Sequence, residues 1–395
     1  MKKLVFIVAV LIMATVANAQ EKKENVYTNL SDKILTSDSK LSIGGYGEVN
    51  YNQGFGGDTR SNGKLDVQRF VMMLGYKFNS KTSFVAELEF EHVKEVYVEQ
   101  AFLQYKINDF INFRAGLMLV PMGIQNEYHE PNTFNGVERT FLDSRIAPTT
   151  WREIGAGFTG NIIDASLKYQ AYVFNGFNGY EDGAGKFRGK DGLRKGRQKG
   201  AESFMSSPNF AGKVEFYGIK GLNLGLSGYF GKTQSTAYDG LLDSDNVGLK
   251  SADSTVVSIS MVGFDARYQL NALQMRAQVY YTALGNTDQY NAKTGKDLGS
   301  AMMGYYVEAG YNVLAHCDKV EDELIPFVRY EMFNTHHEVE DGMVQNDAYN
   351  NTVITAGLGW KITPKAALKV DVSLMKSEAA DDYSKTFNAG VAVMF

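Results

Sequence analysis

From Leu41 to Phe395 the chain repeats one unit: about ten residues of alternating polarity, then a break. Sixteen such runs can be counted, at 41-52, 64-78, 81-91, 95-107, 110-118, 152-161, 163-175, 208-218, 221-232, 255-270, 272-284, 301-315, 322-334, 351-362, 365-376 and 385-395. The breaks alternate in length. Very short ones (Asn79-Ser80, Asn108-Asp109, Asn161-Ile162, Asn271) are interleaved with long ones near 53-63, 119-151, 176-207, 233-254, 285-300, 335-350 and 377-384. Ten-residue amphipathic runs joined by alternately short and long connections predict an all-β, antiparallel transmembrane β-barrel with tight turns at one rim and long loops at the other. An even strand number brings both chain ends to the short-turn side. Two connections break the alternation: His92 to Lys94 is short where a long loop is expected, and His316 to Glu321 is longer than a tight turn. A soluble sandwich would also alternate in polarity, but it leaves the ordered gap lengths unexplained.

The runs assign their own faces. In the second, Phe70, Met72, Leu74, Tyr76 and Phe78 oppose Arg69, Val71, Met73, Gly75 and Lys77. An Arg on the lipid face near the bilayer midplane costs roughly 2–4 kcal/mol, so the Arg face is expected to be the lumen. The same split puts Ile111, Phe113, Ala115 and Leu117 outside with Asn112 and Arg114 inside. It sets Leu273, Met275, Ala277, Val279 and Tyr281 against Gln274, Arg276 and Gln278. In 163-175, Ile163, Ala165, Leu167, Tyr169 and Val173 oppose Asp164, Ser166, Lys168 and Gln170.

The chain ends support a membrane location. Lys2 and Lys3, an apolar run from Leu4 to Val16 and the small-x-small triplet Ala17-Asn18-Ala19 read as a signal peptide over 1-19, cleaved before Gln20. Its loss takes the formal charge from -5 to about -7. Residues 20-40 read as a polar, aperiodic and flexible periplasmic lead, and 41-395 as the barrel. Beyond the signal no apolar run approaches 18 residues, so spanning helices are excluded and only a closed barrel can cross a bilayer. A single Cys, Cys317, excludes an intramolecular disulfide framework. The last run alternates Phe387, Ala389, Val391, Val393 and Phe395 with Asn388, Gly390, Ala392 and Met394. An amphipathic last strand ending in an aromatic resembles the closing strand of bacterial outer-membrane barrels, where that residue is read by the barrel assembly machinery.

Three further segments carry a family resemblance. They are Ile43-Gly44-Gly45-Tyr46-Gly47-Glu48, the R-x-G-x-x-x-x-P-x-G segment Arg114 to Gly123, and the R-[DE]-x-G pattern in Trp151-Arg152-Glu153-Ile154-Gly155. Across nearly the whole mature chain the sequence resembles the phosphate-selective porin O and P family, in the form common in Bacteroidetes-type outer membranes. That resemblance implies a sixteen-stranded barrel, usually a homotrimer. It implies passage of small anions along an arginine ladder with lysine clusters, and one long loop folded inward.

Lumen-side cations are Arg69, Lys77, Arg114, Lys168, Arg267, Arg276, Arg329 and Lys369; lumen-side acids are Glu87, Glu89, Glu91, Asp164, Asp265, Glu331 and Asp371. These nearly cancel, whereas strong anion selection needs a field of one sign along the path. A local positive constriction is still available. The 119-151 loop carries Arg139 and Arg145 beside Arg152, its Tyr128, Phe134, Phe141, Leu142 and Ile146 need an apolar resting place, and Gly123 and Gly136 permit sharp bends. Arg139 and Arg145 are therefore expected to project into the lumen with Arg69, Arg114, Lys168, Arg267, Arg276 and Arg329 as pore-lining groups. A second basic stretch, Lys186, Arg188, Lys190, Arg194, Lys195, Arg197 and Lys199, reads as a solvated outer loop or as a site concentrating anions or lipopolysaccharide phosphate at the mouth. His336-His337 with Glu338 and Glu340 is a weak metal-capture pattern, and Asp381-Asp382 a weak divalent-cation contact or a polar turn.

These observations favour an outer-membrane porin passing small hydrophilic solutes, with anions such as phosphate as the class suggested by the resemblance. An adhesive or structural barrel is the alternative. A barrel enzyme is a weaker one, because the His residues are only five and a Ser and a His at fixed strand spacing do not stand out. Expected partners are outer-membrane lipid and lipopolysaccharide, small or anionic solutes, two further copies of the chain, and the assembly machinery. No cofactor or resident metal is called for, and the charge balance gives no argument for nucleic acid.

Overall fold

The computed structural model describes residues 27–57, 61–317 and 320–395. The signal-peptide reading and the cleavage before Gln20 lie outside the described residues. Sixteen antiparallel strands close into a barrel. They are β1 Leu41–Phe55, β2 Lys64–Lys77, β3 Thr82–Glu91, β4 Glu95–Lys106, β5 Asn112–Leu119, β6 Arg152–Ile162, β7 Leu167–Phe174 and β8 Asn209–Ile219. The second half comprises β9 Leu222–Lys232, β10 Ser258–Leu270, β11 Leu273–Gly285, β12 Ala301–Tyr311, β13 Glu323–Glu338, β14 Asn350–Thr363, β15 Ala366–Ser377 and β16 Ser384–Met394. Each pairs with its sequence neighbours, and β16 pairs with β1 from Tyr46 opposite Met394 to Phe55 opposite Lys385. The terminal Phe395 completes the seam: its N–H donates to the Gly45 carbonyl (2.9 Å), its carbonyl accepts from the Gly45 N–H (3.1 Å), and its ring stacks on Phe70. Closure matters because an unpaired edge in hydrocarbon would leave a row of unsatisfied backbone groups.

The faces follow the alternation. Phe70, Tyr76, Met275, Tyr281, Val391 and Val393 are exposed on the outside, while Arg69, Val71, Met73, Gln274, Gln278 and Asn388 are buried inside. Several boundaries shift. Ile163–Ala165 is a 3-10 turn, not the start of a strand, so Asp164 is exposed at the rim and does not face the lumen. The twelfth run ends at Tyr311, leaving 312–322 as the long connection anticipated there, and β13 continues to Glu338. The short 92–94 connection is a tight turn with His92 and Val93 both at positive φ.

Part of the lead departs from the aperiodic reading. Leu30–Thr36 is a helix (α1), capped by Asn29, whose side chain accepts from the Asp32 N–H. Leu30 and Ile34, one turn apart, bury their side chains inside the short-turn rim. Gly75 makes room: a Cβ there would lie 2.1 Å from Ile34 Cγ2. Charges fix the rest, with Asp32 2.7 Å from Lys168 on β7 and the Ser37 carbonyl accepting from Lys77. The lead escapes a sequence reading because this helix is only seven residues long and its partners lie on three distant strands.

Candidate functional site: the inward loop and its arginine cluster

The connection between β5 and β6, residues 120–151, folds into the barrel. Its neck is tied by Asn126, which donates to the Val120 and Trp151 carbonyls (2.7 and 2.8 Å) and accepts from the Trp151 N–H (2.8 Å). Gly123, at φ +65°, turns the chain against Tyr280, whose hydroxyl would lie 1.7 Å from any Cβ. Tyr128, Phe134, Leu142 and Ile146 are buried, and Phe141 stacks on Phe333.

Backbone inside a barrel must find partners, since unsatisfied polar groups there are costly. Wall side chains supply them. Lys213 donates to the Gly123 carbonyl (2.7 Å) and pairs with Glu127 (2.9 Å). Lys369 donates to three loop carbonyls, those of Pro131, Phe134 and Gly136. Asp371 accepts from the Val137 N–H (2.7 Å), Glu331 from that of Leu142 (3.1 Å) and Gln278 from that of Ile124 (2.6 Å). Asp143 accepts from Gln278 and Tyr280. Lumen polarity therefore serves largely to anchor the loop, which the count of opposed charges in the sequence could not reveal.

Most wall cations are neutralised. Arg69 lies 2.6 Å from Glu48 and 3.7 Å from Glu89. Arg267 pairs with Glu215 at 2.5 Å between the rings of Tyr27 and Tyr128. Arg329 lies between Glu308 and Glu331. Arg114 packs over Phe102 and donates to Gln104, well away from Arg139. Arg276 lines a separate cavity of about 140 Å³ near Tyr27 and Arg267.

The long-loop side differs. A cavity of about 480 Å³ opens there, bordered by Arg69, Glu138, Arg139, Arg194 and Arg329 among others. The basic 186–199 stretch is not a solvated outer loop: it packs against the inward loop. Arg197 donates to the Thr149 carbonyl and to Thr150 Oγ1 (2.9 Å), and Asp191 lies 3.6 Å from Arg145. This is a correction to the open-solvent reading of Arg194 and Arg197. Among the described residues, Arg139, Arg152, Arg194 and Arg197 form no ion pair, and Arg139 Nε, Arg152 Nε and Arg194 Nη1 are buried without a hydrogen-bond partner. Burial, then the neighbouring charges of Arg194 and Arg152, pulls Arg197 down to about 9. Burial and Arg145 likewise lower Arg194. Of the two loop cations expected in the lumen, Arg139 reaches the cavity, whereas Arg145 turns toward Asp191. His336 is not a metal-capture group: Nε2 contacts the Asp297 carbonyl and Nδ1 accepts from the Asn346 N–H.

No family model matches the sequence. Solved structures with the same fold include the outer membrane channel DcaP of Acinetobacter baumannii, with TM-score 0.58, 11% identity and 90% and 97% of the two chains covered. Salmonella typhi OmpF, solved in complex with daunomycin, gives TM-score 0.57 and 13% identity over 90% and 97%. An anion-selective porin from Comamonas acidovorans gives 0.56 and 13% over 90% and 99%. The closed barrel with its apolar outer belt is thus an outer-membrane barrel of porin-like fold. An uncharacterized protein of Aquifex aeolicus is 31% identical over 349 residues, 86% of this chain and 77% of that one, and the chain belongs to its family.

Proposed function

We propose that the barrel is a passive channel for small hydrophilic solutes and that its loop-side constriction prefers anions, phosphate among them, as in the phosphate-selective porins that the sequence resembles. The observation that carries this reading is the pair of arginines without an ion-pair partner among the described residues, Arg139 and Arg194, on the 480 Å³ cavity. Guanidinium groups carry their charge at neutral pH and offer several donors to an oxyanion. Arg139 and Arg194 join Arg69 and Arg329 on this cavity and outnumber the acids Glu91 and Glu138 there, unpaired among the described residues, which gives a local positive excess that the rest of the wall lacks. The reading includes a homotrimer in lipid and lipopolysaccharide, assembled through the signal at Phe395.

The experiment is a reversal potential across a salt gradient in planar bilayers. Arg139→Glu with Arg194→Glu should move it toward cation preference and weaken block by added phosphate. An unchanged reversal potential in the double variant refutes the anion reading.

A second reading is favoured by α1 in the opposite rim and by the near-complete burial of the wall charges. In it the lumen is closed and the loops carry an adhesive or structural role. Absence of any conductance step from the purified protein decides for it.

A further inference from the structure

Strands β3 and β4 do not pair evenly. Glu87 faces Gln100 and the next residue, Leu88, faces Val98, so Glu99 is the extra residue of a β-bulge. A bulge re-aims a side chain. Here it turns two successive residues, Glu99 and Gln100, into the lumen, where both are buried, while Val98 stays outside. Strict alternation would have sent one of the two to the lipid side: Glu99 if counted back from Gln100 and Phe102, Gln100 if counted on from Val98.

The re-aimed carboxylate is 0% exposed, and neither of its oxygens has a hydrogen-bond partner. A buried carboxylate without hydrogen bonds is costly, so a ligand is the simplest account of its placement. Two other groups converge on it. Glu87, also 0% exposed, is oriented by Tyr46 Oη (2.9 Å to Oε1) and Gln100 Nε2 (2.6 Å to Oε2). His129 comes from the inward loop; its Nε2 lies 3.6 Å from Glu87 and 3.6 Å from Glu99 and has no hydrogen bond. Its Nδ1 faces the Asn126 carbonyl at 3.1 Å. A carbonyl that accepts from Nδ1–H fixes the tautomer and leaves the Nε2 lone pair for a ligand, the usual outer-sphere device at metal sites. One atom from each of the three residues lies within 4.8 Å of the others.

We propose that Glu87, Glu99 and His129 bind a divalent transition-metal ion that staples the inward loop to the β3–β4 wall. One imidazole and two carboxylates suit Zn²⁺ and its first-row neighbours better than Ca²⁺, which takes six to eight oxygens. The ion's two charges match the two carboxylates, and it displaces the proton that would otherwise sit between His129 and its neighbours. The site is linked to the plug helix: Gln100 also donates to Ser31 Oγ (3.1 Å), and Glu130, next to His129, accepts from the Leu30 N–H (2.6 Å).

The test uses the full chain in detergent, stripped with a chelator and titrated with Zn²⁺ in a calorimeter. One equivalent should bind. Glu99→Gln and His129→Gln should each weaken it at least about tenfold while keeping the compact, heat-modifiable band in SDS. Cys317→Ser with His337→Ala, which removes a thiol and an imidazole away from the site, should bind as the parent does. Co²⁺ in the parent protein should show nitrogen and oxygen ligation, a readout that stands even if the buried variants fail to fold. No bound Zn²⁺, parental affinity in both buried-site variants, loss of binding in the Cys317/His337 variant, or a sulfur-to-cobalt band would each overturn the proposal.

Discussion

Lys369 holds the middle of the inward loop, and its replacement by Met tests whether the loop is fixed by wall charge. Lys369 is 7% exposed, and its Nζ donates to the Phe134 and Gly136 carbonyls at 2.6 and 3.0 Å and to that of Pro131, and lies 4.1 Å over the Phe134 ring. Among the described residues it has no carboxylate within 4 Å, so the loop carbonyls are its solvent. Hydrogen bonds from a charged donor contribute about 1.5–3 kcal/mol each. Burying the ammonium costs several kcal/mol, which offsets much of that gain. A net of about 2–4 kcal/mol remains, equivalent to a roughly 30- to 700-fold shift in local opening of residues 131–137. Methionine keeps the apolar stem, so packing is little disturbed. Limited trypsin digestion reads the opening, because Arg139 is held within the loop and becomes cleavable only when it loosens. The parent protein should resist, the variant should be cut after Arg139, and single-channel traces of the variant should become noisier. Equal trypsin resistance and equal channel noise would refute the view that Lys369 pins the loop.

Two other outcomes follow from the rims. Ile34→Asp buries a carboxylate against Gly75 with no partner, which should expel α1 from the short-turn rim and raise conductance in bilayers; unchanged conductance would show that the helix does not obstruct the path. Phe395→Asp keeps the terminal backbone pair with Gly45 but removes the stacking on Phe70, and surface levels and the heat-modifiable band should both fall; parental levels would count against a role for the ring in assembly.

The linear pattern determined the barrel. Strand number, the inside and outside faces, and the side on which long loops gather are all written in a period of two and in gap length, which are local properties. Arg69 inward and Phe70 outward needed no knowledge of partners, only the cost of a charge in lipid. The inward course of residues 120–151 was also expected, from the family resemblance together with apolar side chains that needed cover. What the wall polarity is for was not. Lys213, Lys369, Asp371 and Glu331 satisfy loop backbone contributed from elsewhere in the chain. Arg194 and Arg197 looked solvated until the packing of two loops half-buried them beside Arg139 and Arg152. Glu99 and Gln100 both face the lumen only because one extra residue interrupts the ladder with β3. Each of these depends on which groups meet across the closed sheet, and hydrogen bonding and charge compensation between residues distant in sequence are settled by tertiary structure alone.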